Sequence, residues 1–249
     1  MNSAPTSASS AFRIFLFLLL LLPLLTNAQN DNGQPKRKKD YLVTMTTDFG
    51  AMHLILHDQT PKHKENFIKL TDGHFFDGLL FHRVIQNFMI QGGDPQSRTA
   101  IAGQSLGNGD VGYRIPAEFV PTLFHKKGAL AAARDGNPEK ASSGCQFYVV
   151  QGRVWDDAGF EAQRQRITTI KGRQPTDEQV SLYKTVGGTP HLDGNYTVFG
   201  QVIDGLAVVD SIAKQPRAAD RPTADVRMTV SGKWVKKKKI TKQFGYVFQ

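Results

Sequence analysis

The chain has 249 residues, 40% of them apolar and 21% charged, with 23 Gly, 12 Pro and one Cys. That length can bury one large core or two small ones, and the composition excludes wholesale disorder, collagen and coiled coil. Lys and Arg outnumber Asp and Glu by 31 to 22, a net charge of +9, and the single Cys145 permits no intrachain disulfide.

The longest apolar run falls in residues 12–25 and is shorter, from Ile14 to Leu25, than the roughly 20 residues that span a bilayer as a helix. Arg13 flanks it and Thr26-Asn27-Ala28 supplies small residues for cleavage. Residues 1–28 therefore read as a cleaved secretory signal peptide, with an uncleaved N-terminal anchor as the alternative. Residues 29–39 are polar, lack an apolar period and read as a flexible linker. An exported chain with almost no cysteine suits a bacterial periplasm, with secretion or the ER lumen as alternatives.

Tyr41–Thr47 and Met52–His57 are β-rich runs separated by Asp48-Phe49-Gly50-Ala51, a hairpin signal. Thr60-Pro61 predicts an N-cap with proline at the first helical position, Phe67, Ile68 and Leu70 an apolar face, and Gly73 the end of that helix. Further strands are predicted at Leu80–Ile85, Phe88–Gln91, Ala129–Ala133, Gln146–Gln151, Thr197–Ile203 and Arg227–Val235, with a Gly-rich loop from Gly103 to Gly112. A second core helix is expected from Asp204, where Leu206, Val209 and Ile212 recur at helical spacing. Residues 153–185 are more polar, and Thr176 with Gln179 forms a capping-box pattern. They read as two short helices in a solvated insertion, with a partner-binding arm as the alternative. Many short strands with two core helices imply a mainly β, antiparallel barrel or sandwich.

The segment Phe81-His82-Arg83-Val84-Ile85-Gln86-Asn87-Phe88-Met89-Ile90-Gln91-Gly92-Gly93-Asp94 carries the chemistry. As a strand it would turn Arg83 to the same face as Phe81 and Ile85, and a guanidinium among apolar neighbours is costly without a partner or a task. Phe88, Met89 and Tyr148 could form an apolar pocket sized for a pyrrolidine ring, and Gln91 and Gln146 could hold a peptide backbone. The segment resembles the signature of the cyclophilins, the peptidyl-prolyl cis-trans isomerases. Gly144-Cys145-Gln146-Phe147-Tyr148 is similar to that family's second motif, and Leu192-Asp193-Gly194-Asn195-Tyr196-Thr197-Val198-Phe199-Gly200 to its third. Asn66-Phe67 and Ile115-Pro116-Ala117-Glu118-Phe119 fit the same pattern, and the resemblance covers roughly residues 41–235.

The resemblance implies a closed eight-stranded antiparallel barrel capped by two helices, over residues 40–235 with the 153–185 insertion. It implies catalysis by Arg83 with Gln91, a proline pocket of Phe88, Met89, Tyr148 and Leu192, and backbone contacts from Gln91, Ala133, Arg134 and Gln146. His191 stands where Trp is frequent, Tyr196 where His is frequent, Tyr148 where Phe is usual, and Arg134 where Asn is frequent. These departures imply altered ligand preference around an intact Arg83. The implied partners are proline-containing segments of unfolded or partly folded proteins, bound by a monomer. No metal, cofactor or nucleic acid is implied, nor membrane insertion after cleavage.

Other motifs read as decoys. Asp48-Phe49-Gly50 lies in the wrong order for a kinase. His53 and His57 lack a third metal ligand. Cys145 reads as a small buried residue, and Asn195-Tyr196-Thr197 is a sequon that matters only in a eukaryotic source. Lys233, Lys236 to Lys239 and Lys242 read as a solvated basic tail over 236–249, with an anionic membrane or nucleic acid as alternative partners. A non-catalytic binding module using the same cleft is the rival to an active isomerase.

Overall fold

The expected hairpin forms from β1 (Lys39–Thr47) and β2 (Gly50–Leu56) in a computed structural model that describes residues 38–172 and 174–248. Its turn is closed by the Thr47 hydroxyl, which accepts from the Phe49 N–H at 3.1 Å. The expected signal peptide and most of the expected linker lie outside the described residues; Lys39, assigned to the linker, is already strand and pairs with Lys236.

Helix α1 (Pro61–Asp72) starts at the predicted proline and ends at Gly73, but Thr60 makes no side-chain cap. Glu118 caps it instead. Its carboxylate accepts from the N–H groups of Lys62 and His63 at 3.1 and 3.0 Å, which satisfies orphan donors and opposes the helix dipole.

Next come β3 (Arg83–Ile85), β4 (Met89–Gly92), β5 (Arg114–Ile115), β6 (Ala129–Ala132), β7 (Ser142–Ser143) and β8 (Phe147–Val150). Helices α2 (Asp157–Lys171) and α3 (Asp177–Thr185) precede β9 (Val198–Asp204) and α4 (Leu206–Ala213). A short hairpin, β10 (Arg217–Ala218) with β11 (Arg221–Pro222), leads to β12 (Thr229–Lys236) and α5 (Lys237–Phe244). Asp204, expected to begin a helix, ends β9 opposite His53, and the left-handed Gly205 turns the chain into α4.

The protein is mainly β. Eight strands form one antiparallel sheet in the order β12-β1-β2-β9-β6-β8-β4-β3. Residues 78–81, just before β3, also bond to 226–228, just before β12: Phe81 N–H to Val226 O at 2.9 Å, Met228 N–H to Leu79 O at 2.9 Å, with a bridge between Leu80 and Arg227. One face of the sheet carries Val43, Met45, Leu54, Val84, Ile90, Leu130, Phe147, Val149 and Phe199 into the main core. Phe67 and Leu70 of α1 and Val209 and Ile212 of α4 cover that core.

The insertion differs from a solvated arm. Its capping box at Thr176 and Gln179 is present, but Trp155, Phe160 and Tyr183 are buried with Phe124 in an apolar cluster of their own. The arm leaves and returns where Gly152 meets Gly188, so close that a Cβ on Gly152 would lie 2.4 Å from the Gly188 Cα. The expected solvated tail is also corrected. Lys236 belongs to β12, and residues 237–244 form α5, whose fully buried Ile240 and partly buried Phe244 cover Leu42 and Ile55 on the outer face of β1 and β2. Lysines alone would remain solvated; the apolar residues spaced four apart dock the helix.

Two predictions follow from this packing. Replacing Ile240 with Ala is expected to cost about 2–4 kcal/mol in urea unfolding; an unchanged midpoint would mean that the C-terminal residues are solvated after all. Burial also holds His82, only 4% exposed, and His57 neutral, each lowered to about 4 from an ordinary 6.5. Since the unfolded chain takes up these protons first, stability is complete above about pH 7 and declines as pH falls through 6.5 toward 4, by up to about 3 kcal/mol for His82. Urea titrations from neutral to mildly acid pH should show that decline, and His82→Asn should remove its share and leave that of His57. An equal slope in the variant would rule His82 out.

Candidate active site

Strand register places the singled-out residues. In the antiparallel ladders Arg83 lies opposite Gln91, Gln91 opposite Tyr148, and Tyr148 opposite Ala131. Ile85, Met89 and Val150 form the adjacent row. Residues directly opposite share a face, so these rows lie on the side of the sheet away from the main core. Phe81 does not join Arg83 and Ile85. It precedes β3, outside the regular alternation, and packs into the main core.

On that outer face Met89, Ala129, Ala131, Ala133, Tyr148, Val150 and Val198 are buried together, with Ile85, Phe88, Leu123, Leu192 and Tyr196 partly buried against them. The structure thus gathers Phe88, Met89, Ala133, Tyr148, Leu192 and Tyr196 from four separate stretches of the chain. Phe88 reaches the cluster from the β3–β4 turn, in which Asn87 takes a left-handed φ of 65°. Leu192 comes from a short 3-10 turn, Pro190–Leu192, against which α2 packs.

A polar chain borders this apolar floor. The Arg83 Nε donates to Asp220 at 3.0 Å and Nη1 to the Gln91 Oε1 at 3.4 Å; Nη2 has no partner among the described residues. The side chain is 41% exposed, so it stands at the rim of the cluster instead of being sealed among apolar groups. Gln91 in turn donates to the Gln146 Oε1 at 3.0 Å. Both Gln146 amide hydrogens are engaged, with Gly107 O at 2.9 Å and Gly109 O at 2.7 Å. Gln146 therefore orients Gln91 and the Gly-rich loop, and its remaining capacity is to accept. The buried Asp94 holds the same loop through the N–H groups of Gly107 and Gly109. A Cβ at Gly109 would lie 2.1 Å from Asp94 Oδ1, which explains the glycine.

The residues that depart from the common pattern keep the walls aromatic. His191 stacks on Phe88 at 5.5 Å between ring centroids, and burial followed by the charge of Arg166 lowers its pKa, favouring the uncharged ring. Tyr196 meets Tyr148 edge-on at 6.0 Å, and the Arg134 guanidinium lies over the Tyr196 ring at 4.7 Å. Arg134 also donates to the carbonyls of Asn195 and Asp135, both at 2.7 Å, so its charge is tied to the rim.

Sequence reasoning missed Asp220, Asp94 as loop anchor, and His125, whose Nε2 lies 2.9 Å from the Tyr148 hydroxyl. Asp220 sits in the β10–β11 turn, 137 positions from Arg83, and its carbonyl also accepts from the Val84 N–H at 2.7 Å. No local pattern links such positions. His125 does share a sequence run with Phe124, but its partners come from other elements. Among the described residues no group of three or more His, Cys, Asp and Glu side chains is arranged to hold a metal ion.

This geometry agrees with comparison to known proteins. A protein of Streptococcus pyogenes serotype M6 that bears the name of a bifunctional phosphatase/peptidyl-prolyl cis-trans isomerase is 39% identical over 188 residues, 74% of this chain but 37% of its own length. A Staphylococcus haemolyticus protein named for a peptidyl-prolyl cis-trans isomerase is 37% identical over 186 residues, 74% of this chain and 86% of its own. The crystal structure of a Cryptosporidium parvum cyclophilin type isomerase matches with a TM-score of 0.55 at 22% identity, covering 78% of this chain and 98% of that one. The same protein in the presence of the dipeptide Ala-Pro gives a TM-score of 0.54. The family model described as cyclophilin type peptidyl-prolyl cis-trans isomerase/CLD matches residues 42–233, and the chain belongs to that family of peptidyl-prolyl cis-trans isomerases.

Proposed function

We propose that the outer-face cluster of β4, β6 and β8 seats the proline of an X-Pro segment and that Arg83, assisted by Gln91, stabilises the twisted amide. The observation that carries this reading is register: Arg83 and Gln91 are cross-strand neighbours in the row that continues into Tyr148. A structural relative studied in the presence of Ala-Pro supports proline-containing peptides as substrates.

Rotation about X-Pro breaks no σ bond and works against amide resonance, a barrier of about 18–20 kcal/mol. As the bond twists, the prolyl nitrogen becomes pyramidal and basic, and a guanidinium N–H directed at it binds the twisted state better than the planar one. An acceleration of about 10⁵ requires roughly 7 kcal/mol of such differential binding. Asp220 and Gln91 fix Nε and Nη1 and leave Nη2 without a partner among the described residues, so little reorganisation accompanies the event. Phe88, Met89, Tyr148, Leu192, His191 and Tyr196 exclude water from the ring, and Ala133, with its small side chain, lets a peptide backbone approach.

The same reading takes the eight-stranded sheet to be closed, supported by the bonds between 78–81 and 226–228. It places the protein among exported chains, in the periplasm by preference, where it acts as a monomer on folding polypeptides; the apolar run of residues 14–25 supports the export. Arg83→Ala is expected to lower kcat/KM for an X-Pro peptide at least about a hundredfold in a protease-coupled assay, with Tm changed little because the ion pair is half exposed. Equal turnover by variant and wild type would end the catalytic reading and leave a binding module.

A further inference from the structure

A tyrosine in the proline pocket introduces a hydroxyl where an apolar wall is needed. Tyr148 is buried, and burial raises its pKa well above the ordinary value, so the group remains an O–H that must find an acceptor. The acceptor is at hand: the Tyr148 hydroxyl lies 2.9 Å from His125 Nε2. For Nε2 of a neutral imidazole to accept, the proton has to be on Nδ1. Asp193 sets that tautomer, since its Oδ1 takes the His125 Nδ1 at 2.8 Å and also the His125 backbone N–H at 2.9 Å. Asp193 itself is buried, and such a carboxylate is tolerated only with several donors. The Tyr183 hydroxyl is one of them, donating to Oδ2 at 2.8 Å. Tyr183 is fully buried in the cluster formed by Phe124, Trp155 and Phe160, and burial likewise keeps its hydroxyl protonated.

We infer that Tyr183, in the second helix of the insertion, is a positioning residue for the proline pocket, acting through Asp193 and His125 to hold the Tyr148 hydroxyl away from the bound ring. Each link is a buried hydrogen bond, and donation converges on Asp193: Tyr183 donates to it from one end, and from the other Tyr148 donates to His125, whose Nδ1–H donates to the carboxylate. The arm thereby does more than extend from the sheet. It supplies a donor that stabilises the ionised carboxylate, the carboxylate fixes the imidazole, and the imidazole fixes the ring that faces the substrate. The inference rests on the pocket assignment made above, which Arg83→Ala tests independently.

The experiment is a double-mutant cycle of Tyr183→Phe and Tyr148→Phe in the full chain, read as kcat/KM for an Ala-Ala-Pro-Phe peptide and as Tm. Tyr183→Phe alone should lower kcat/KM about fivefold, the effect of losing one neutral hydrogen bond. In the Tyr148→Phe background the same change should alter kcat/KM less than about twofold, because the hydroxyl that the relay holds is gone. The Tm loss should be alike in both backgrounds. Equal kcat/KM losses in the two backgrounds, or no loss in the wild-type background, would overturn the relay. A measurement on the unmutated protein stands beside the cycle: nitrogen NMR should find His125 protonated at Nδ1 and unprotonated at Nε2 at neutral pH. A protonated Nε2 would overturn it.

Discussion

The period-two alternation of the strands is the constraint from which the site follows. β4, β6 and β8 are each buried on both faces, and each divides its side chains between two clusters. Ile90, Leu130 and Phe147 go inward and hold the sheet on α1 and α4; Met89, Ala131 and Tyr148 go outward and form the floor of the outer-face cluster. Slipping any of these strands by one residue would exchange the two sets, so stability and binding share a single register.

Polar order is imposed on that floor from two sides. On one, Asp94 and Gln146 clamp the Gly-rich loop, Gln146 orients Gln91, and Gln91 with Asp220 orients Arg83. On the other, Tyr183, Asp193 and His125 lead to Tyr148. The second chain is buried throughout and the first at Asp94 and Gln146, and in a low-dielectric interior each satisfied bond strengthens its neighbour while each missing one is costly. The outer-face cluster is thus bordered by ordered polar groups, and the Arg83 Nη2 at its rim has no partner among the described residues.

The C-terminal helix and the insertion were harder to read for a related reason. The lysines of residues 236–242 dominate the local composition, yet Ile240 and Phe244 decide their structure by covering Leu42 and Ile55. The insertion presents the same imbalance. Its Arg and Gln residues suggest a solvated arm, while Phe160 and Tyr183 tie it to Phe124 and to the pocket wall. In both cases a few apolar residues, each removing a large area from water, outweigh a polar majority that only has to remain wetted.

The sequence by itself determined the β-rich architecture, the first hairpin and the helix that starts at Pro61 and stops before Gly73, since alternation, proline and glycine act over a few residues. Its three ordered motifs also sufficed to identify the family. Only the tertiary structure decided that Glu118 caps α1, that Asp220 orients Arg83, that Phe81 faces inward, and that Tyr183 reaches the pocket through Asp193 and His125. Those outcomes depend on contacts between residues ten to more than a hundred positions apart. Periodicity along the chain carries no record of which distant donor meets which buried acceptor; packing alone brings them within hydrogen-bonding distance.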